Sequence, residues 1–233
     1  MSAAAEFKYA GSELKLFEKA RNWKAYSQTQ ICDYVRGDVL EVGAGIGANT
    51  MSLAELDFRR WTCLEPDAAL AAQVRLPPGG RHEAAAGTIG DLPAAAKFDT
   101  ILYLDVLEHI EDDRGEMSRA AARLNPGGCV IVLAPAHPFL FTAFDAAIGH
   151  FRRYTRASLR EAAPATLSEE KLVYLDAAGM LASAANRLLL RSAMPTEQQI
   201  LTWDRLLVPV SRRIDGLLAG RVGKSVLGIW RKG

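Results

Sequence analysis

The feature that most constrains this chain is a glycine-rich turn that directly follows a short apolar strand. Residues 39–50 read Val-Leu-Glu-Val-Gly-Ala-Gly-Ile-Gly-Ala-Asn-Thr, which predicts a strand, a tight turn and the start of a helix. The three glycines lack the Cβ atoms that would hold a ligand away, and they permit the positive φ angles of a tight turn. The segment therefore predicts a ligand bound beside the backbone of this turn.

The turn alone is compatible with more than one ligand. Gly43, Gly45 and Ala48 satisfy the dinucleotide pattern G-x-G-x-x-G/A. Glu65 ends the next predicted strand, where a carboxylate can accept hydrogen bonds from both hydroxyls of an adenosine ribose. These residues leave an NAD-dependent oxidoreductase open, and also a nucleoside-binding module without catalysis. The second half of the chain lacks a Tyr-x-x-x-Lys pair, which weakens the oxidoreductase hypothesis.

Short apolar runs alternate with longer Ala- and Leu-rich helical patterns, as in stacked βαβ units. The pattern predicts an α/β fold with helices on both faces of a mostly parallel, seven-stranded sheet. An Asn-Pro-Gly-Gly turn at 125–128 is expected before the fifth strand. The predicted strands are residues 38–42, 60–65, 82–86, 98–104 and 128–134, with two more near 171–176 and 225–230.

The 233 residues predict a single domain with helical additions. Residues 1–36 form an N-terminal helical appendage, with the helix itself over 12–36. Residues 180–220 form a helical insertion before the last strand, in which Pro209 should kink or break the helix. Apolar positions from Trp203 to Leu217 follow the spacing of one helix face.

Composition predicts a cytoplasmic protein, because no apolar run reaches the length of a signal-peptide core or a membrane span. Three widely spaced cysteines favour buried thiols, so no metal site is expected. Charge is uneven: residues 187–233 hold nine Lys and Arg against three Asp and Glu. This basic end is compatible with an anionic substrate or peripheral membrane contact, or with solvated arginines on a packed helix. The oligomeric state is left open.

Five ordered motifs resemble the class I S-adenosylmethionine-dependent methyltransferases, and most closely their type 11 subgroup, akin to enzymes of ubiquinone biosynthesis. The motifs are residues 41–47 (Glu-Val-Gly-Ala-Gly-Ile-Gly), Glu65, residues 90–92 (Gly-Asp-Leu), residues 98–109 and residues 124–128 (Leu-Asn-Pro-Gly-Gly). The resemblance implies a Rossmann-like three-layer sandwich whose last strand is antiparallel. It also implies S-adenosyl-L-methionine as the cofactor.

The resemblance assigns cofactor-binding roles along the chain. Glu41 and the turn Gly43, Ala44, Gly45 and Gly47 would lie near the amino acid portion. Glu65, followed by Pro66, would hold the ribose, Asp91 and Leu92 the adenine, and Leu104 and Asp105 the methionine ammonium. Trp23 of the N-terminal helix would close over the cofactor as a lid, or else pack in the core.

The acceptor side depends on residues after the fourth and fifth strands. His150 and His137 are the candidate general bases, which a hydroxyl acceptor would need and which favour O-methylation. Asp145 precedes His150 by five residues and would orient it. The expected substrate-binding residues are Arg152, Arg153, Tyr154 and His109. We expect a small-molecule acceptor that is anionic, sugar-linked or lipid-linked. Nucleic acid is not expected, since the fourth-strand motif differs from the Asn/Asp-Pro-Pro-Tyr/Phe type.

Overall fold

Seven strands assemble into one sheet, and the central strands are apolar enough to be buried on both faces, as parallel strands require. The computed structural model describes residues 14–189 and 195–233, without the side chains of 185–189. The strands are β1 (Asp38–Val42), β2 (Arg60–Glu65), β3 (His82–Ala86), β4 (Phe98–Leu104), β5 (Leu124–Pro135), β6 (Leu167–Leu175) and β7 (Ser225–Lys232).

The strand order is β3-β2-β1-β4-β5-β7-β6. Neighbours from β3 to β5 are parallel, whereas β7 runs antiparallel to both β5 and β6. The predicted α/β sandwich with an antiparallel last strand is thereby confirmed. The carboxyl ends of β1, β4 and β5 meet at one edge, where ligands of such sheets bind.

Helices cover both faces of the sheet. They are α1 (Leu14–Phe17), α2 (Arg21–Ile31), α3 (Ala48–Ser52), α4 (Ala68–Ala71), α5 (Asp113–Arg123), α6 (Ala143–Ala147), α7 (Arg156–Ala162), α8 (Ala177–Leu189), α9 (Glu197–Thr202) and α10 (Val208–Leu217). One apolar cluster joins the sheet to α5 and α7, and a second joins its other face to α2 and α10. No helix in the described ranges is both long and apolar enough to cross a bilayer.

The predicted helix over residues 12–36 is divided. Helix α1 ends at Phe17, a turn follows, and α2 begins at Arg21; residues 12 and 13 lie outside the described part. The amino end of α2 is satisfied from far along the chain, because Asp204 accepts hydrogen bonds from the backbone N–H groups of Asn22 and Trp23. A carboxylate at this position also complements the helix dipole.

Pro209 shapes the C-terminal helices without breaking them. It occupies the second position of α10, and the preceding turn, Trp203–Leu207, is a wide π-helical turn that joins α9 to α10. A π turn accommodates a proline, which lacks an N–H donor. The extra residue rotates the apolar positions, so Leu206 and Leu217 are 63% and 86% exposed. The buried residues of α10 are Val208, Ser211 and Asp215.

Candidate active site

A cavity of about 980 Å³ opens at the carboxyl ends of β1, β4 and β5. Its walls come from the glycine-rich turn, from the segments after β4 and β5, and from helices α1, α2, α8 and α9. Predicted site residues on its wall are Trp23, Gly43, Ala44, Gly45, Leu104, Asp105, His109, His150 and Arg153. The volume lies at the upper end of the range for ligand pockets.

The glycine-rich turn has the conformation that its sequence predicts. Gly43, Gly45 and Gly47 have φ angles of 69°, 57° and 79°. A Cβ on Gly43 would lie 2.7 Å from the Val106 side chain, so packing requires the glycine there. Gly45 differs, since a Cβ on it would meet only Leu14, at 3.5 Å, along the cavity wall. The turn therefore forms a cradle that a side chain would fill.

Glu65 ends β2 beside this turn, but it is only 4% exposed and is absent from the cavity wall. Its carboxylate accepts hydrogen bonds from the backbone N–H groups of Gly45 (2.8 Å) and Asp67 (3.1 Å). Desolvation raises the pKa of Glu65, and the two backbone donors oppose this shift. Glu65 therefore fixes the shape of the turn in addition to any contact with a ribose.

Five other predicted cofactor residues also lie away from the cavity wall: Glu41, Gly47, Pro66, Asp91 and Leu92. Asp91 accepts hydrogen bonds from the backbone and hydroxyl of Thr88 instead. The turn is covered on this side, since the Arg75 N–H donates to the Ile46 carbonyl and the Arg75 guanidinium pairs with Glu18. In this conformation, the structure does not bring the expected adenine and ribose residues into the cavity.

Glu41 is enclosed in the core. Its carboxylate accepts hydrogen bonds from the Thr50 hydroxyl (2.6 Å) and the Trp61 indole N–H (2.9 Å). Desolvation raises the pKa of Glu41 to about 7, although these donors act in the opposite direction. The side chain links β1 to α3 and β2, and the predicted position beside an amino acid ligand is not observed.

Asp105, directly after β4, adopts an unusual backbone conformation on the cavity wall. Its φ angle is 58°, and its backbone N–H donates to the Leu133 carbonyl of β5 at 2.8 Å. A non-glycine residue in this region stores strain, which occurs preferentially at functional sites. Desolvation raises the pKa of Asp105, partly offset by the positive charges of Lys224 and Lys24. A carboxylate here can receive an ammonium group.

Three side chains form what we term the acid–histidine cluster: Glu108, His109 and His150. The two imidazole rings meet edge to face, with centroids 4.5 Å apart. Nε2 of His150 lies 3.8 Å from Oε1 of Glu108, a residue with no exposed side-chain surface. Burial lowers the pKa of His109 to about 4, with a smaller contribution from the charge of His150. At neutral pH its ring is therefore uncharged.

Asp145 supports this cluster from behind. Its carboxylate lies 3.0 Å from Nδ1 of His150 and accepts two hydrogen bonds from Arg153, at 2.8 and 3.0 Å. It also accepts the backbone N–H of Thr142, which completes a capping box at the start of α6. The pKa of Asp145 lies well below its usual range, because these hydrogen bonds outweigh desolvation. The predicted Asp145–His150 pair is present.

Arg152 and Tyr154 face away from the cavity, unlike Arg153. The segment is extended, so neighbouring side chains point to opposite sides. Arg152 and Tyr154 both contact Asp113, each at 2.8 Å. Their expected role in substrate binding is therefore not supported by the geometry.

His137, the other predicted base, also lies away from the cavity wall. Its Nε2 is 3.0 Å from the Gly223 carbonyl, and its ring lies against Tyr174 at 4.6 Å between centroids. Its φ angle is 65°, a strained value for a residue with a side chain. Of the two candidate bases, only His150 reaches the cavity.

The sequence prediction missed four charged residues on the cavity wall: Glu18, Lys24, Glu108 and Lys224. Lys224 lies 3.8 Å from Asp176 and stacks over Trp203 at 3.5 Å from the ring centroid. Desolvation lowers the pKa of Lys224 and of Lys24, whereas nearby carboxylates raise both. Only Glu108 carried a sequence signal, as the acidic neighbour of His109 at the end of the fourth-strand motif.

Trp23 lines the cavity and is also part of the core. It is 7% exposed, and its ring packs against Trp203 with the centroids 5.8 Å apart. The helix that carries it is tied to the C-terminal helices through Asp204. The packing role considered for Trp23 is therefore present, and its role as a lid over the cofactor stays a prediction.

Comparison with known proteins identifies a domain within this chain. Residues 40–130 match the family model described as "Methyltransferase domain". No curated protein sequence matches the chain. The match spans the glycine-rich turn, the end of β2 and the segment after β4. It includes Glu108 and His109 of the acid–histidine cluster, whereas His150 lies beyond it.

Solved structures with the same fold cover nearly the whole chain. The N-methyltransferase NodS from Bradyrhizobium japonicum WM9, in complex with S-adenosyl-l-homocysteine, aligns with a TM-score of 0.61 and 17% identity, over 96% of this chain and 93% of that one. A SAM-dependent methyltransferase from Archaeoglobus fulgidus aligns with a TM-score of 0.60 and 14% identity, over 94% and 97%. An S-adenosylmethionine-dependent methyltransferase from Clostridium acetobutylicum ATCC 824 aligns with a TM-score of 0.55 and 12% identity, over 95% of each chain.

Proposed function

We propose that this chain is a class I S-adenosylmethionine-dependent methyltransferase, which the match of residues 40–130 to a methyltransferase domain supports. From that premise we propose that it methylates a hydroxyl oxygen of a small or lipid-linked acceptor held in the cavity. One observation carries the proposal of an oxygen acceptor. His150, held at 3.0 Å by the buried Asp145, faces the cavity beside Glu108. Groups of this kind are needed where a hydroxyl loses its proton.

The residues on the cavity wall fit the amino acid end of the cofactor. When bound, S-adenosylmethionine supplies a methyl group on a sulfonium sulfur. The glycine cradle leaves room at Gly45 for close approach of a ligand to the backbone. Asp105 would receive the amino group, and Lys24 would face a carboxylate at the same end of the cavity.

Methyl transfer to an oxygen needs positioning and the exclusion of water more than it needs a large catalytic apparatus. The walls supplied by α1, α2 and α9 enclose the cavity opposite the sheet, with Phe17, Trp23 and Trp203 as apolar surfaces. The acid–histidine cluster is proposed as the place where the acceptor hydroxyl loses its proton. Arg153 is committed to Asp145, so it stabilises the cluster rather than an anionic substrate.

The test of this function is calorimetric titration with S-adenosylhomocysteine and, separately, with NAD. We expect the wild-type protein to bind the homocysteine compound and not NAD. Glu65→Ala should weaken that binding by roughly tenfold, since the turn loses the carboxylate that fixes the Gly45 N–H. Glu65→Gln keeps a hydrogen-bond acceptor without the charge, so its affinity for S-adenosylhomocysteine should lie between those of the wild type and Glu65→Ala. Binding of NAD alone would contradict the proposal.

The C-terminal helices suggest where a lipid-linked acceptor would approach. Leu206, Val210 and Leu217 are exposed, and Arg205, Arg212 and Arg213 are exposed on the same helical segment. Apolar residues beside arginines on a helix are typical of contact with an anionic membrane surface. We propose that this segment makes peripheral contact with such a surface.

Vesicle sedimentation tests the membrane contact. The protein should bind vesicles of phosphatidylcholine and phosphatidylserine more strongly than phosphatidylcholine alone. Leu206→Ser combined with Leu217→Ser should reduce the bound fraction by roughly tenfold, because two leucines no longer enter the apolar layer. Met51→Ser, an exposed apolar residue on α3, is the control. Equal binding of the double variant and the control would count against the contact.

A further inference from the structure

Glu108 is a buried carboxylate without a hydrogen-bonding partner. Its side chain has no exposed surface, and among the described residues no other residue donates a hydrogen bond to either oxygen. Burial of an unpaired carboxylate is strongly unfavourable, so native proteins retain such groups for a reason. Glu108 lies on the cavity wall, and its nearest polar neighbour is an imidazole nitrogen.

The neighbours of Glu108 are arranged as metal ligands. One ligand atom from each of Glu108, His109 and His150 lies within 4.8 Å of the other two. Tetrahedral coordination with bonds of about 2.1 Å places ligand atoms about 3.4 Å apart. The distance of 3.8 Å from Nε2 of His150 to Oε1 of Glu108 is close to that value.

Each histidine has an interaction with a group outside the cluster. Nδ1 of His150 lies 3.0 Å from Asp145, so an N–H on Nδ1 leaves the Nε2 lone pair facing Glu108. His109 is hydrogen-bonded with the Gly149 backbone. Metal-binding histidines characteristically pair their second nitrogen with a carboxylate or a backbone carbonyl.

A direct hydrogen bond does not explain this arrangement. The separation of 3.8 Å between Nε2 and Oε1 exceeds hydrogen-bonding distance, whichever atom carries a proton. When Glu108 is ionised and Nε2 of His150 carries a lone pair, a cation between the two atoms would neutralise the buried charge and serve both groups as ligands. Arg153 does not supply it, because both of its hydrogen bonds to a carboxylate go to Asp145.

We propose that Glu108, His109 and His150 bind one divalent transition-metal ion of the Zn²⁺ and Co²⁺ class. Two imidazole nitrogens and one carboxylate oxygen favour these ions over Mg²⁺, which prefers oxygen ligands. All three residues lie at the cavity wall, and His109 and His150 are the partly exposed members, so a fourth ligand would approach the ion from the side of the two imidazoles. The expectation of no metal site came from cysteine spacing, which does not bear on a site made of histidine and carboxylate.

The inference rests on the proposed function and deepens it. An acceptor hydroxyl that occupies the fourth position would lose its proton more readily, because a bound cation lowers the pKa of a coordinated oxygen. The proton would pass to water, and the oxygen would use the electron pair that it keeps to form the new bond to the methyl carbon. The bond from that carbon to the sulfonium sulfur would break at the same time, and the sulfur would leave with its electron pair as the neutral thioether of S-adenosylhomocysteine. The acceptor class is then a hydroxyl compound able to reach the ion.

The experiment is a titration of the untagged, chelator-treated full chain with Co²⁺ alone, followed by visible absorption. Displacement by Zn²⁺ is measured in the same cell. We expect one ion per chain with an absorption band typical of tetrahedral or five-coordinate Co²⁺. Glu108→Gln and His150→Gln should each weaken binding at least roughly tenfold, since each removes a ligand. His82→Gln, on strand β3 away from the cavity, should bind as the wild type does.

Titration of the same proteins with S-adenosylhomocysteine separates this inference from the proposed function. If Glu108→Gln still binds S-adenosylhomocysteine, the variant is folded. If it does not, Glu108→Asp takes its place in the experiment. Binding of S-adenosylhomocysteine without any Co²⁺ absorption band would overturn the metal site and leave the proposed methyltransferase function intact. Equal Co²⁺ affinity of the wild type and the folded Glu108 variant would also overturn it. A Co²⁺ absorption band without binding of S-adenosylhomocysteine would instead contradict the proposal that S-adenosylmethionine is the cofactor.

Discussion

Asp145→Asn is expected to lower the free energy of unfolding by about 3 kcal/mol, because it leaves Arg153 partly buried and without its counter-charge. The carboxylate accepts both hydrogen bonds of Arg153, and the Arg153 side chain is only 14% exposed. An asparagine retains one acceptor for the capping contact with Thr142 but carries no charge. Urea unfolding measures the loss.

The same substitution should reduce kcat roughly 100-fold, with little change in KM, because His150 loses the group that orients it. Asp145 is a positioning residue in this scheme. Asp113→Asn is the matched control. Like Asp145, Asp113 forms an ion pair with an arginine, Arg152, and it also accepts a hydrogen bond from Tyr154, but it lies outside the cavity. It should lose stability and keep its kcat when assayed well below its melting temperature. Equal kcat losses in the two variants would assign Asp145 a structural role only.

Acid titration gives an independent readout of Asp145. Its pKa is lowered in the folded protein, so its ionised form contributes stability above the ordinary pKa of an aspartate, about 3.9. That contribution is lost as the pH falls below about 4. The wild type should therefore lose its stability advantage over Asp145→Asn in acid. An advantage that persists undiminished to low pH would contradict the charge-based explanation.

Gly45→Ala is expected to weaken binding of S-adenosylhomocysteine roughly 100-fold. Gly45 has a φ angle of 57° and lines the cavity, so a methyl group there occupies the cradle meant for the ligand. Backbone strain alone accounts for about 1 kcal/mol of stability, which is far less than the loss expected in binding. Calorimetry at several temperatures gives the affinity, and thermal unfolding gives the stability.

Gly80→Ala separates strain from obstruction. Gly80 has a similar φ angle of 71°, a Cβ added to it would meet no atom of the described residues within 4 Å, and it is not on the cavity wall. The Gly80 variant should show the same small loss of stability and unchanged affinity for the homocysteine compound. If both variants bind the compound equally well, the turn is not part of the cofactor site.

The first four strands could be predicted to the residue, because each is a short run between turn signals, and three of them are apolar and largely buried in the parallel sheet. The predicted start of the fifth strand, residue 128, was wrong, because β5 begins at Leu124. The predicted turn at Asn125 to Gly128 is part of β5, where Leu124 already pairs with Phe98 and a register shift follows. A bulge and a turn favour the same residues, so the local sequence does not separate them.

The candidate site was predictable where it depends on one segment and not where it depends on several. The glycine turn and Asp105 follow local sequence, and both reached the cavity. Arg152 and Arg153 looked equivalent, but Asp113 and Asp145 hold them on opposite sides. The role of Glu108 depends on His150, forty-two positions later in sequence, and spacing alone does not reveal such a contact.

The position of β7 has a consequence for the order in which the molecule assembles. Strands β1 to β5 can pair with each other as soon as their sequences exist, whereas β6 has only β7 as a sheet neighbour. Strand β6 therefore joins the sheet only after the later strand has inserted beside β5, a contact between distant segments that forms slowly. Lys224 and Ser225 on the cavity wall arrive with that strand. A chain made only as far as β6 would hold the glycine turn and the acid–histidine cluster, yet leave one wall of the cavity open until this last pairing.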